Sequence, residues 1–321
     1  METKNIAKGV LLVALGSSAY GMLATIVKLA YGEGYTTAEV TTSQFTLGLL
    51  GLIILNIINR KKLKPIQKGD TTKLLIFGSS MGFTSLFYYL SVQYINVSIG
   101  IVLLMQSVWI SIVIESFLDK VLPSARKILA TIMVLFGTLL ATNVFNQSID
   151  LDIRGVFWGF LAACSFSTTM FVSNRIATYL PNTQKSLFML LGGAIVVGAF
   201  LFFSQIGPYY FDGLKSFYNL FSSNTEGISA FDASIFLRYG LFLSLFGTIL
   251  PPLLLTAGFP NTGLGLGSIV SSIELPVSVL FAFFLLNEKV EWIQWLGIAC
   301  ILGAVFYMNA NQLKSSHSKI S

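Results

Sequence analysis

The sequence predicts an all-α integral membrane protein, with ten transmembrane helices arranged as two inverted five-helix repeats around a central cavity. Three observations predict this fold. Hydrophobic residues make up 54% of the 321 residues and charged residues only 11%, with a mean hydropathy of +0.77, whereas soluble domains are about 25% charged. Apolar runs of about 20 residues recur along the whole chain, and each can cross a roughly 30 Å hydrocarbon core as a helix. The two halves of the chain also share a pattern.

Ten spans are predicted, each an apolar run bounded by polar or turn-forming residues. They cover residues 8–31, 38–58, 73–94, 97–118, 126–143, 155–178, 185–204, 237–258, 263–286 and 292–310. The first span follows Lys4 and Lys8 as a secretory signal would. Its apolar run is too long for such a signal, so we predict a retained helix.

Basic residues are concentrated on one side of the predicted membrane. With the N-terminus inside, 15 of the 20 Lys and Arg residues fall on the inner side, including the loop "RKKLKPIQK" (60–68). The positive-inside rule therefore predicts a multi-pass protein of the cell (inner) membrane with both termini in the cytoplasm. The net charge of +6 does not indicate nucleic-acid binding, because no basic surface interleaved with aromatic residues accompanies it.

Two internal alignments support the repeat. Residues 9–28 align with 155–174, and "SVWISIVIESFLDK" (107–120) aligns with "PVSVLFAFFLLNEK" (276–289). We predict a first repeat at 1–148 and a second at 149–321. Because five is an odd number, the second repeat enters the membrane upside down, as is typical of secondary transporters whose halves rock around a central site.

A long outer connection is predicted at 204–237. Within it, Leu214, Phe217, Tyr218 and Phe221 recur with helical periodicity, and Asp212 is placed to cap the start. This pattern predicts a short amphipathic helix on the outer leaflet, acting as an interfacial anchor or as a lid.

The chain resembles EamA-type members of the drug/metabolite transporter superfamily. The resemblance is carried by "SLFYYLSVQYINVSIGIVLLMQ" (85–106), by "NEKVEWIQWLGIACILGAVF" (287–306) and by the Glu-x-Pro sequence at 274–276. It implies a ten-helix basket with a central cavity that opens to one side at a time. Spans one, three, four, six, eight and nine would line the cavity, and spans five and ten would pack outside it. The resemblance also points to export of amino acids and related metabolites.

Glu274 is the leading candidate for a functional residue. It lies near the middle of span nine, where a charged carboxylate costs at least about 3 kcal/mol, so it needs a proton, a partner or water. Ser271 and Ser278 share its helical face, and Pro276 leaves carbonyl groups one turn back without their helical donors. We predict that Glu274 faces the cavity as a partner for a substrate cation or as a proton carrier. The alternative is a structural hydrogen bond that locks two helices together.

Eight further residues are predicted to line the cavity. They are Tyr20 and Lys28 in span one, Tyr88 and Tyr89 in span three, Gln106 and Trp109 in span four, and Trp158 and Thr168 in span six. Alternatives remain open for several of them. The face of span one that carries Tyr20 also fits a packing seam of small residues. Lys28 fits either snorkelling to the interface or binding an anionic group, and the two tyrosines of span three fit either an interfacial belt or the cavity wall.

These features favour a secondary transporter for an amino acid or a similar zwitterionic or amphipathic solute, working by alternating access and in the direction of export. The alternative is a membrane-embedded receptor or scaffold without transport activity. No Walker P-loop pattern is present, and Cys164 and Cys300 suggest neither a disulfide nor a metal site. We therefore predict no enzymatic activity and no cofactor. The expected partners are the lipid bilayer, a small-molecule substrate and, as a candidate coupling ion, the proton; the expected assembly is a monomer or homodimer.

Overall fold

The structure, a computed structural model, describes residues 6–95, 97–144, 152–215, 229–287 and 289–317. Regular secondary structure in these ranges is entirely helical. The main helices are α1 (Ile6–Gly32), α2 (Thr37–Ile58), α3 (Asp70–Gly78), α4 (Ser80–Tyr94), α5 (Val97–Leu104), α6 (Ser107–Asp119), α7 (Ala125–Ala141), α8 (Ile153–Arg175), α9 (Asn182–Leu201), α10 (Leu250–Thr262), α11 (Leu264–Ser271), α12 (Glu274–Leu286) and α13 (Trp292–His317). Short helical turns extend them at Arg60–Lys62, Phe202–Ile206, Gly207–Tyr210, Asp212–Leu214, Phe236–Gly240, Leu241–Ser244 and Leu245–Ile249.

In the described ranges, nine helical segments are long and apolar enough to cross a membrane. They are Ile6–Gly32, Thr37–Ile58, Asp70–Tyr94, Ser98–Asp119, Ile153–Arg175, Asn182–Tyr210, Phe236–Thr262, Leu264–Leu286 and Trp292–Asn309. The predicted multi-pass helical architecture is therefore present, but the count of ten is not confirmed. The fifth predicted span corresponds to α7, whose 17 residues reach about 25 Å at 1.5 Å per residue.

Helix α7 lies antiparallel along α13, at the same depth as the first half of that helix. Small residues allow this approach, because a Cβ atom at Gly297 would lie 2.3 Å from the backbone nitrogen of Ala141, and one at Gly137 would lie 2.9 Å from the carbonyl oxygen of Gly297. At one end of the pair, the side-chain amide of Gln294 donates to the carbonyl of Ala141 at 3.0 Å.

Spans four and nine are each broken at the same place. Each consists of an eight-residue helix, a two-residue turn and a 13-residue helix that ends in a left-handed residue, Lys120 in one and Asn287 in the other. All these boundaries differ by 167 residues (264 minus 97, 274 minus 107), and so do the starts of α13 and α7 (292 minus 125). The alignment of 107–120 with 276–289 is therefore wrong by two residues. The shared acidic–basic pairs suggested a register that the helix ends do not follow.

Span seven is longer than predicted. A π-helical turn at Phe202–Ile206 leads into Gly207–Tyr210, so that the helix continues well past residue 204. The outer connection therefore begins near residue 211. Of the amphipathic helix predicted there, the structure shows a short 3-10 turn at Asp212–Leu214, and the remainder, with Phe217, Tyr218 and Phe221, lies outside the described residues.

The start of α1, the end of α10 and the starts of α7 and α11 lie at one end of the bundle, which we call the terminal face. This follows from side-by-side contacts: a Cβ atom at Gly9 would meet Asn261 at 2.7 Å, and one at Gly265 would meet the Lys127 amine at 3.2 Å. Because α13 runs antiparallel to α7, its end also lies at the terminal face. The opposite end, where the cavity opens, is called the mouth face.

Buried apolar side chains fill the half of the bundle toward the terminal face. The largest apolar cluster there joins both halves of the chain through Phe166, Met170, Leu255, Phe259 and Ile269, all buried. Every residue of α11 is also buried. The terminal face is therefore closed in this structure.

Candidate functional site

A cavity of about 530 Å³ runs from the middle of the bundle to the mouth face. This volume lies within the range of about 300–1,000 Å³ that is typical of small-molecule sites. Its wall is built by segments from both repeats, namely α1, α2, α4, α5, the end of α7, α8, the turn at Leu245–Ile249, α12 and the start of α13. Two exposed cations, Lys28 and Lys289, lie on its lining toward the mouth, and Glu274 lies at its closed end.

Glu274 is the first residue of α12, directly after the turn at Ser272–Ile273. Its carboxylate oxygen Oε2 is buried without a hydrogen-bond partner, which is costly unless a ligand, a proton or water satisfies it. Gly21 brings α1 against this point, since a Cβ atom there would lie 2.5 Å from the Glu274 carbonyl oxygen. Because the turn interrupts span nine, Glu274 and Ser278 line the cavity whereas the preceding helix is buried in the core.

Aromatic side chains form much of the remaining wall. Tyr20 lies edge-on to Phe166 with ring centroids 6.0 Å apart, and Tyr31 lies edge-on to Tyr89, also at 6.0 Å. Tyr88 packs beside Tyr89 at 5.9 Å. All five rings line the cavity. Such rings offer apolar area together with faces that attract a cation.

The structure places six of the eleven predicted residues on the cavity wall, and they come from both repeats. These residues are Tyr20, Lys28, Tyr88, Tyr89, Glu274 and Ser278. Glu274 and Ser278 lie one turn apart on α12, while Tyr20 and Lys28 lie two turns apart on α1. The site therefore joins a carboxylate, a hydroxyl, an amine and three phenols around one space.

The other five predicted residues, Ser271, Gln106, Trp109, Trp158 and Thr168, are not among the lining residues. Ser271 is buried in α11 and donates to the Gly267 carbonyl at 3.0 Å. Trp109 is 37% exposed and donates to the side-chain oxygen of Gln106 at 2.9 Å. Trp158 stacks on Phe87 at 5.4 Å, and Thr168 donates to the carbonyl of Cys164 at 3.0 Å.

Several polar lining residues are absent from the sequence prediction, among them Gln44, Thr169 and Gln294. Gln44 is buried, and its Oε1 has no hydrogen-bond partner. It is therefore a second unsatisfied acceptor on the cavity wall. An amide two turns into span two was the available indication, since such a group needs partners in hydrocarbon. Thr169 is the immediate neighbour of the predicted Thr168. The prediction therefore chose the wrong face of α8 by one residue.

Polar contacts at the mouth face join the connection between α1 and α2 to the segment before α10. The Glu33 carboxylate accepts from the Tyr239 hydroxyl at 2.6 Å and from the Arg238 guanidinium at 3.0 Å. The hydrogen bond from Tyr239, and then that from Arg238, lower the pKa of Glu33 below its ordinary value. Glu39 and Thr36 form a capping box at the start of α2.

Within the part of the chain that the structure describes, no group of three or more His, Cys, Asp or Glu side chains could hold a metal ion. The lining residues offer groups for hydrogen bonding, cation–π contact and ion pairing. A multi-pass helical membrane protein with a cavity between the two parts of its chain accounts for this arrangement.

The family model of the EamA-like transporter family matches the chain twice, at residues 7–143 and 153–310. The chain therefore belongs to the EamA-like transporter family and is built from two such units. No curated protein matches it. One crystal structure of a protein at 13% sequence identity superposes with a TM-score of 0.71, over 93% of this chain and 96% of that one. At this identity the likeness shows a common fold alone.

Proposed function

We propose that the protein is a secondary transporter that exports a small zwitterionic or amphipathic solute, such as an amino acid, by alternating access. The observation that carries the proposal is the buried, unpartnered Oε2 of Glu274 at the closed end of a cavity open to one face only. A carboxylate at that depth is stabilised by a cation or a proton. An amine-bearing solute supplies the cation, and the aromatic wall accommodates its apolar part.

Glu274 binds the substrate amine in this proposal, or a proton when the substrate is absent. One carboxylate cannot hold both cations fully at once, so binding of an amine displaces a proton. Protons are therefore the proposed coupling ion. Lys28 and Lys289, which line the cavity nearer the mouth, are placed to attract the anionic end of a zwitterion.

The proposed topology places the terminal face in the cytoplasm of a cell (inner) membrane, with α7 as the tenth crossing. Support comes from the excess of Lys and Arg in the segments at that face, including the loop at 60–68. The cavity then faces the outside in this structure. We propose a monomer or homodimer whose repeats divide near residue 148, in agreement with the gap between the two matched units.

A metabolite panel tests the proposal. Thermal-shift screening of the purified protein in detergent should single out amino acids or related amines, and these hits are then followed into liposomes. A carrier shows saturable counterflow, in which unlabelled substrate trapped inside accelerates uptake of labelled substrate. Conductance without saturation would indicate a pore. Binding without counterflow would favour a receptor or scaffold and contradict the proposal.

A further inference from the structure

The terminal face is closed partly by an ion pair of the first repeat that packs against the backbone of the second repeat. Lys127, in the first turn of α7, donates to the Glu115 carboxylate of α6. Both side chains are largely buried, with 27% and 13% of their surface exposed. The carboxylate lies against the start of α11, because a Cβ atom built at Gly265 would come within 2.4 Å of Glu115 Oε2 and one at Gly263 within 3.2 Å of Oε1.

Helix α11 presents its N-terminal end to this carboxylate. The N-cap residue of α11 is Gly263. Because glycine has no side chain, it cannot accept a hydrogen bond from the first backbone N–H groups of the helix. An anion near a helix N-terminus is electrostatically favourable. The pair of Glu115 and Lys127 therefore attaches the first repeat to the start of a helix in the second repeat.

The pseudo-symmetry of the two repeats identifies the equivalent position at the mouth face. Since the last two spans of each repeat are related by 167 residues, Glu115 corresponds to Ala282, Lys127 to Gln294 and Gly265 to Ser98. All three counterparts line the cavity. The surfaces that touch at the terminal face thus have equivalents at the mouth face that are separated by the open cavity.

We infer that Glu115 and Lys127 form a one-sided ionic latch that favours the mouth-open conformation over the terminal-open one. The inference rests on the proposed alternating-access function. In an inverted repeat, the two conformations exchange equivalent contacts between the two faces. Closure of the mouth would bring Ala282 and Gln294 toward Ser98, and these residues carry no charge. The exchange therefore loses an ion pair at the terminal face and gains none at the equivalent positions of the mouth face, which favours the mouth-open conformation.

Cysteine accessibility in detergent measures both faces in one sample and needs no substrate. Native Cys164 and Cys300 are replaced by Ser, and one reporter cysteine is introduced per protein. Ser268→Cys reports the terminal face, where Ser268 is fully buried in α11. Ser278→Cys reports the cavity that opens at the mouth. The readout is the rate of reaction with a hydrophilic maleimide.

In the variant Glu115→Ala, we expect labelling of the Ser268→Cys reporter to rise by about fivefold or more, and labelling of the Ser278→Cys reporter to fall. Unfolding would raise both rates, so opposite changes separate a conformational shift from misfolding. The matched control is Asp119→Ala, which breaks an ion pair with Arg175 on the same face. Both partners of that pair are about 40% exposed, and exposed pairs contribute little, so both rates should stay near the parent values.

A second variant installs the latch at the other face. Ala282→Glu combined with Gln294→Lys should lower labelling of the Ser278→Cys reporter by about fivefold or more, because it stabilises closure of the mouth. The inference is overturned if Glu115→Ala leaves both rates unchanged, or if the double variant does not slow labelling in the cavity. A failure of transport alone would contradict the proposed function without affecting these rates, because the labelling uses no solute.

Discussion

Gly21 is the point where α1 touches the backbone of the helix that carries Glu274, and its replacement by alanine tests how closely the site is packed. A Cβ atom there would lie 2.5 Å from the Glu274 carbonyl oxygen and 3.0 Å from the Ser278 nitrogen. Neither backbone atom can rotate away. Overpacking of this kind costs about 1–3 kcal/mol, and the short distance favours the upper end. Alanine regains about 1 kcal/mol of helix propensity, so Gly21→Ala should destabilise the protein by about 1–2 kcal/mol.

Gly198 provides the matched control. It lies within α9, and a Cβ atom there would meet nothing within 4 Å. Gly198→Ala should therefore be neutral or stabilising by up to about 1 kcal/mol. Thermal unfolding in detergent, followed by intrinsic fluorescence, should give Gly21→Ala a Tm at least about 2 °C below that of Gly198→Ala, at roughly 2–4 °C per kcal/mol. Equal Tm values for the two variants would refute the close contact between α1 and α12.

Three further outcomes follow from the structure. Ser278→Ala, which changes the cavity wall, should raise the KM for counterflow several-fold, whereas Ser271→Ala, in the buried helix before the break, should leave KM unchanged; equal effects would contradict the assigned positions. Asn174→Ala removes a 2.7 Å hydrogen bond to the Phe259 carbonyl and should cost about 1–3 kcal/mol, seen as a lower Tm. Because the pKa of Glu33 is lowered in the folded protein, its contribution to stability is present at neutral pH and is lost as pH falls through that lowered value. The Tm difference between wild type and Glu33→Gln should therefore vanish in acid, and a difference that persists would show that the carboxylate charge is not its source.

Much of the architecture could be predicted from the sequence because hydrocarbon imposes a simple requirement. Spans must be helical, apolar and about 20 residues long, and the first two spans begin and end within a few residues of the prediction. The position of Glu274 on the cavity wall could also be predicted from the sequence. A carboxylate in mid-span has few environments that stabilise it.

The rest depends on breaks in the helices that composition does not reveal. The turn at Ser272–Ile273 separates Ser271 from Glu274, although an unbroken helix would place them on one face. In span four, Gln106 is satisfied locally: its side-chain amide donates to the Val102 carbonyl at 2.9 Å while its oxygen accepts from Trp109. A polar side chain in a span can satisfy its hydrogen bonds locally or face the cavity, and sequence spacing alone does not distinguish the two.

The helix ends also correct the repeat register. The pairs at 119–120 and 288–289 look alike in sequence, and aligning them shifts the second repeat by two residues. Equivalence of Glu115 with Ala282 and of Lys127 with Gln294 becomes visible only in the structural register. The asymmetry between the charged pair at the terminal face and its uncharged equivalents at the mouth face is therefore a property that only the three-dimensional structure reveals.

Counterflow by the variant Glu274→Gln tests the central claim most directly, since glutamine keeps the size of the side chain and removes its ability to carry charge or exchange a proton. The control is Glu291→Gln, which makes the same change at an exposed residue that is not among those lining the cavity. With equal amounts of reconstituted protein, we predict at least about tenfold slower counterflow of the amine hit for Glu274→Gln, loss of its pH dependence, and an unchanged rate for Glu291→Gln. Wild-type rate and pH dependence in Glu274→Gln would contradict the account.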